Sequence, residues 1–327
     1  NNELGLPLTI LSLEPSHWAM VIEMGMRGLG EIDFLCCLSR PTHGIITNIG
    51  HTHQELLGTK EKIAQAKAEL LAHIPARGGI MLNRDDQEIL KPWLTNSRGF
   101  LKWYGLNSRC DIWGDSIEDL GKEGVRFMIH TREGPGVKVT LPVPGKHNVL
   151  NSLAAAGMAR QLGLSWQEIK EGLENTSLSQ MRLEFISIPE KGIEVINDAY
   201  NANPSSMSAA LEVLKSAAGT GRAIAVLGDM YELGDYAEEG HLLVGRRAKE
   251  LDIAYLITVG SLGSLIARGA REAGMKSDRI KTCQDNAEAL SYLRDILKTG
   301  DVVLIKGSRA VRMEKIVAGI LESRNLQ

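Results

Sequence analysis

The sequence predicts an α/β protein in two parts: a central, mostly parallel sheet with a small antiparallel appendage, followed by a doubly wound second domain. Three observations lead there. Apolar runs at 18–23, 44–47 and 79–83 are interleaved with a segment of helical period, the interval at which strand–helix units build a parallel sheet. Between 99 and 142 the pattern changes to short alternating segments separated by Gly and Pro, which suits antiparallel hairpins. From Gly192 a regular strand–helix alternation follows.

Size and composition agree. With 327 residues, 43% hydrophobic content and a mean hydropathy of -0.09, the chain can bury an ordinary core and is expected to form two domains, 1–183 and 184–327. A net charge of -3 argues against a broad nucleic-acid footprint. Cys36, Cys37, Cys110 and Cys283 form no CxxC or zinc-like spacing, which favours a reduced, cytoplasmic protein. Neither a signal peptide nor a run long enough to span a membrane is present. Asn1–Asn2–Glu3 lacks an initiator Met, so the sequence is expected to be missing its natural N-terminus.

Taken in order, Trp18–Glu23 reads as a buried strand that delivers Glu23 at its C-terminal end. The glycines at 25, 28 and 30 have the wrong spacing for a dinucleotide fingerprint. Thr42–Asn48 is a neighbouring strand that turns at Gly50, just before His51 and His53. From Lys60, residues Ile63, Leu70, Leu71 and Ile74 form one helical stripe, and Lys67 lies on it. Gly78–Asn83 is a third strand, opening onto Arg84–Asp85–Asp86. Segments 124–130 and 136–141 make the appendage.

Pro144–Asn148 is a loop into a helix over 149–162; its Gly145–Lys146 pair is half of a phosphate loop, and the full motif is absent. The stretch 177–184 has no period and reads as a link. In the second domain, strands are expected at 193–197, 223–227, 255–259, 280–283 and 302–305, with helices near 205–217, 237–250, 262–273, 287–298 and 311–322. Asn203 is an N-cap with Pro204 at the first helical position. Strand ends in such sheets hold ligands, and here they carry Asp198, Asp229 and Lys306.

Glu23, His53 and Lys67 are the first constellation. A carboxylate and an imidazole at strand ends can hold a hard divalent ion, or His53 can cap a helix while Glu23 pairs with Arg27. A zinc pair at His51 and His53 lacks a matching third ligand. A desolvated Lys67 can lose its proton and react with carbon dioxide to give an anionic carbamate, or it can snorkel from the edge of the stripe.

Seven ordered motifs then carry a resemblance. They are Val21–Gly28, Thr47–Gly58 with His53, Ala66–Lys67–x–Glu69, His147–Asn148–x–x–Asn151, Asp198–Met207, Leu227–Gly234 and Lys306–Arg309. Together they resemble the Mur ligase family, from residue 1 to about 323. That resemblance implies an ATPase-type central domain, a Rossmann-like C-terminal domain and an ATP-dependent amide ligase acting through an acyl phosphate. It implies Mg²⁺ on Glu23 and His53, and a second Mg²⁺ supported by Lys67 as a carbamate. Asn148 and Asn151 would contact the nucleotide, Arg182 the phosphates and Asp198 the ribose, with Asn201, Asn203 and Ser206 shaping the wall of the site.

Within the family the motifs imply a cytoplasmic, monomeric enzyme of peptidoglycan synthesis whose substrates are UDP-N-acetylmuramoyl-tripeptide and D-alanyl-D-alanine. Another Mur-type or folylpolyglutamate-type ligase, or a non-catalytic binding module, are the alternatives. The family's phosphate loop and uridine-nucleotide domain would precede Asn1, so these residues alone are expected to bind ATP weakly and to ligate little.

Overall fold

A computed structural model describes residues 2–50, 54–132 and 134–322. They fall into two compact units. The first takes in residues up to Ser116 together with 127–139 and 149–173; the second takes in 117–126, 140–148 and the chain from Glu174 on.

The chain begins with α1 (Gly5–Leu11), α2 (Glu31–Ser39), β1 (Gly44–Ile46), α3 (Gln54–Leu57), α4 (Lys60–His73), β2 (Gly79–Asn83), α5 (Gln87–Leu90) and β3 (Phe100–Gly105). Strands β1, β2 and β3 pair in parallel, with Gly44 opposite Ile80 and Gly79 opposite Phe100. β4 (Ile112–Asp119), β5 (Val125–Thr131) and β6 (Gly134–Leu141) extend the same sheet in chain order. β4 pairs with β3 in parallel, Tyr104 opposite Ile112, whereas the links from β4 to β5 and from β5 to β6 are too short for a parallel crossover, so those strands run antiparallel, as the alternating pattern predicts. The helices α6 (Lys146–Gln161) and α7 (Trp166–Glu174) follow.

Helix α4 begins where Thr59 Oγ1 accepts the Lys62 backbone N–H. Its buried face, Ile63, Ala64, Ala66, Ala68 and Leu71, shares a core with Ile46, Ile80 and Leu82 of the sheet. Burying an aliphatic side chain of this size is worth about 1.5–3 kcal/mol. Removing this stripe would therefore cost the unit much of its stability.

One expectation fails here. Residues 19–26 form no strand; Trp18 is 77% and Val21 96% exposed. An apolar run becomes a strand only where a neighbour takes its backbone hydrogen bonds. Among the described residues β1 is the sheet edge, and nothing pairs with its outer side.

The second unit contains β7 (Glu184–Ile188), β8 (Ile193–Asp198), α8 (Pro204–Ala218), β9 (Ala223–Gly228), α9 (Ala237–Glu250), β10 (Tyr255–Val259), α10 (Gly263–Glu272), β11 (Ile280–Cys283), α11 (Asn286–Ile296), β12 (Val302–Lys306) and α12 (Glu314–Glu322). The sheet order is β11-β10-β9-β12-β8-β7, parallel throughout its first five members. Successive strand residues feed opposite faces. Ile196 and Leu304 pack with α8, α9 and α10, whereas Val195 and Val303 pack with α11 and α12. This is the doubly wound arrangement expected, with one addition. β7 pairs antiparallel with β8, Phe185 opposite Ile196, directly after the stretch read as a link. Among the described residues no helix is long and apolar enough to cross a membrane.

Candidate active site

In the first unit the described part of the site is a short piece of backbone just past β1. Leaving the sheet strips Thr47, Asn48 and Ile49 of ladder partners, and side chains replace them. Thr47 C=O accepts from Tyr104 Oη at 2.5 Å and from Asn83 Nδ2 at 3.2 Å. Asn48 C=O accepts from Lys67 Nζ at 2.7 Å. Ile49 N–H donates to Asp86 Oδ2 at 2.8 Å. Four side chains from β2, the turn after it, β3 and α4 thus grip three residues.

Lys67 is half-buried, and burial lowers its proton affinity, opposed by the charge of Asp86. Burial likewise raises the Asp86 carboxyl, opposed by the Ile49 N–H and by Lys60 and Lys67. Each charge is thus disfavoured by its own desolvation and favoured by the other. Tyr104 is also driven upward by burial, which keeps its hydroxyl a donor.

Glu23 is exposed and has no hydrogen bond or ion pair among the described residues, so it does not pair with Arg27 there. The Arg27 backbone N–H is taken by Glu31 at 2.8 Å. His51 and His53 lie outside the described residues. Glu69, from the same motif as Lys67, caps α2, accepting from Gly30 N–H at 2.7 Å and Asp33 N–H at 3.0 Å.

The second unit gathers its polar residues at the ends of β8, β9 and β12. Lys306 sits opposite Asp198 in the sheet register and its Nζ lies 2.6 Å from Asp198 Oδ2 and 2.9 Å from Asn201 O. Lys306 and Asp198 are both buried. Asp198 Oδ1 accepts from Leu183 N–H at 3.2 Å. Burial lowers the proton affinity of Lys306, and Asp198 opposes that loss. Arg182 is exposed and stacks over Tyr200 at 4.3 Å.

Asn203 and Ser206 form a capping box on α8: Asn203 Oδ1 accepts from Ser206 N–H, and Ser206 Oγ accepts from Asn203 N–H. Pro204 follows the cap at the first helical position, as expected. Helix α6 starts at Lys146, three residues before the expected 149, and so carries Asn148 in its first turn and Asn151 one turn later. Asn148 Nδ2 donates to Pro144 O at 2.8 Å.

His147 is a residue the sequence reading left without a role. Burial lowers its proton affinity, while Asp198, Lys306 and Glu212 all act on it electrostatically. In the sequence it was marked by the half phosphate loop around it and by the motif His147–Asn148–x–x–Asn151. Gly145, at φ +98°, makes the fold of this turn possible, since a Cβ there would stand 2.7 Å from the His147 ring.

The motifs 227–234 and 306–309 are locked together beneath this cluster. Ser308 N–H donates to Asp229 O, and Ser308 Oγ accepts from Tyr231 N–H, both at 2.9 Å. The Asp229 carboxylate accepts from Gly263 N–H at 2.6 Å. Buried His241 accepts from Met230 N–H at Nε2 and faces Ala237 O with Nδ1, 2.6 Å away. A carbonyl only accepts and an amide N–H only donates, so the proton is on Nδ1.

Known proteins resemble the chain along almost all of its length. Residues 1–159 match the Mur ligase middle domain, and 181–309 match the Mur ligase glutamate ligase domain. The UDP-N-acetylmuramoyl-tripeptide–D-alanyl-D-alanine ligase of Bacillus subtilis (strain 168) is 36% identical, over 99% of this chain and 68% of its own length. The Escherichia coli (strain K12) enzyme of that name is 32% identical, over 99% of this chain and 70% of its own. A crystal structure of MurF from Acinetobacter baumannii superposes with a TM-score of 0.87 at 32% identity, covering 98% of this chain and 69% of that one. MurF ligase from Thermotoga maritima in complex with ADP superposes at 0.84 with 26% identity, covering 99% and 72%.

The His241 geometry has a pH consequence. Burial holds its proton affinity below the ordinary value of 6.5, so on acidification the unfolded chain takes up this proton first. The stability involved is complete above 6.5 and is lost as pH falls through the lower folded value. Long-range ¹H–¹⁵N spectra at pH 6.5 should show His241 as a neutral, Nδ1-protonated ring; a half-protonated ring there would contradict the assignment.

Proposed function

The chain belongs to the Mur ligase family of ATP-dependent ligases, and on that footing we propose that it joins D-alanyl-D-alanine to UDP-N-acetylmuramoyl-tripeptide. The carrying observation is the likeness to ligases of that name at 32–36% identity over 99% of the chain. In this reading ATP is a substrate: the tripeptide carboxylate takes the γ-phosphoryl group, and the amine of D-alanyl-D-alanine displaces phosphate from the resulting acyl phosphate. The reaction belongs to peptidoglycan precursor synthesis and would proceed in the cytoplasm. We take 1–183 as the ATP-binding domain and 184–327 as the C-terminal domain.

The chain's part in such a reaction is positioning and charge. Glu23, exposed and without an ion pair among the described residues, would serve as a hard oxygen donor of the kind Mg²⁺ takes. Lys67 suits it only after conversion, because an ammonium is no ligand. Its lowered proton affinity favours the free amine, which adds to carbon dioxide and releases a proton to leave an anionic carbamate. Glu23 and His53 would hold one Mg²⁺ and the Lys67 carbamate would support a second; such ions, when bound, neutralise charge on the transferring phosphoryl group.

Arg182 offers an exposed guanidinium to phosphate oxygens, its plane steadied by Tyr200. Asp198, held by Lys306 and Leu183 N–H, keeps lone pairs for a ribose hydroxyl. Asn148 and Asn151 are assigned to the nucleotide. Asn201, Asn203 and Ser206 are assigned to the wall, the last two shaping it through the α8 cap.

Substrate class is tested by incubating the intact, full-length protein with ATP, Mg²⁺ and the UDP-linked tripeptide, offering D-alanyl-D-alanine, meso-diaminopimelate, L-Lys or L-Glu in turn. Phosphate release should require D-alanyl-D-alanine; release with only one of the other three would sink the proposal. Lys67→Ala should then lower the rate on the order of 100-fold, the scale of losing one transition-state charge contact. Added short carboxylates should restore part of that loss, whereas full activity in the variant would return Lys67 to a purely structural role.

A further inference from the structure

Helices α2 and α4 bring three unlike ligand types to one place on the first unit. Asp33 and Cys37 lie one turn apart on α2, and His73 is the last residue of α4. Their carboxylate oxygen, thiol sulfur and imidazole nitrogen all lie within 4.8 Å of one another. Asp33 Oδ1 and His73 Nε2 are 2.7 Å apart. Atoms bound to one ion at about 2.0–2.3 Å can stand at most roughly 4.6 Å apart, so rotation of the exposed Cys37 side chain completes the set.

The juxtaposition is built into the helix register. One turn before His73, Glu69 accepts from the backbone N–H of Gly30 and of Asp33, fixing α4 against the start of α2. The next turn of α4 therefore sets His73 beside Asp33 and Cys37. Helix α4 ends at His73, where its terminal carbonyls favour positive charge, and Cys37 lies in the last turn of α2. An open cleft of about 390 Å³ adjoins the ligands, lined by Cys36, Cys37, Arg40, Thr42 and His73 among others, with room for water. Arg40 is the opposing cation there, and its exposure leaves it free to turn into solvent, where it is screened.

We infer that Asp33, Cys37 and His73 form a binding site for a divalent transition metal of the zinc class, with its fourth position open to water in the cleft. Thiolate, imidazole and carboxylate together suit Zn²⁺ or Co²⁺ and do not suit Mg²⁺ or Ca²⁺. Cys36 is not a ligand: it is buried against Met24 Sδ at 3.8 Å, and burial pushes its thiol up to about 12. None of the three ligands belongs to the set proposed for ligation, so the site stands or falls independently of that reading. An ion there would tie α2 to α4.

Cobalt reports the site directly. Reduced, chelator-treated protein titrated with Co²⁺ should develop a thiolate-to-cobalt charge-transfer band that saturates at a single equivalent, disappears on adding Zn²⁺ and ignores Mg²⁺. Cys37→Ser should abolish the band, His73→Gln should weaken binding by ~10-fold or more, and Cys36→Ser should leave both unchanged. Circular dichroism establishes that each variant is folded, and Zn²⁺ should raise the melting temperature of the parent but not of Cys37→Ser. Absence of the band, its survival in Cys37→Ser, or its loss in Cys36→Ser would overturn the site and leave Asp33 and His73 an ordinary surface ion pair.

Discussion

The backbone of Thr47, Asn48 and Ile49 is the point on which the site proposed for the first unit depends. Three peptide groups that have left the sheet are satisfied by Tyr104, Asn83, Lys67 and Asp86 rather than by water. The Ile49 N–H is buried, where losing its partner would cost about 1–3 kcal/mol, and this holds the exit from β1 in one conformation. The same contacts set the electrostatics. Asp86 is committed to a backbone N–H and Lys67 to a backbone carbonyl, so neither is neutralised by a direct ion pair with the other.

A second buried lysine shows what that difference means. Lys306 in the second unit also loses proton affinity through burial, but a carboxylate stands 2.6 Å from its Nζ. Removing its proton would strand Asp198 in a buried position, so Lys306 is kept as a cation that orders the β8 and β12 strand ends. Lys67 has a carbonyl where Lys306 has a carboxylate, and a carbonyl gives up the proton at lower cost. On the proposed reading the buried Lys306 is suited to fixed charge and the half-buried Lys67 to carbamate formation.

Much of the fold could be read from hydrophobic period alone, because strands buried on both faces and helices with one apolar stripe leave strong patterns. The βα alternation after residue 192 and the cap at Asn203 are examples. The errors came where pairing, not composition, decides. Trp18–Glu23 is apolar enough for a strand but has no described neighbour, whereas β7 at Glu184–Ile188 carries a weak pattern and forms because β8 offers an edge. At the site, the position of Lys67 on an apolar stripe marked it as a lysine needing a reason; it is half-buried, and burial lowers its proton affinity. Its partner Asn48, and the roles of Asn83 and Tyr104, rest on contacts between residues 19 to 57 positions apart in sequence, which no local pattern encodes. Asn203, Ser206 and Glu69 were legible as motif residues, but their work as helix caps appears only once the helices they cap are placed.

The central claim is that Asp86 and its neighbours hold the β1 exit in the geometry that ligation requires. Amide hydrogen exchange at Ile49 in Asp86→Ala, read beside the ligase rate, tests it most directly. Losing a hydrogen bond to a charged acceptor should speed Ile49 exchange on the order of 10-fold or more, with core amides of the second unit such as Leu211 unchanged and the ligase rate falling in step. Unchanged Ile49 protection, or faster exchange with an unaltered ligase rate, would contradict the account.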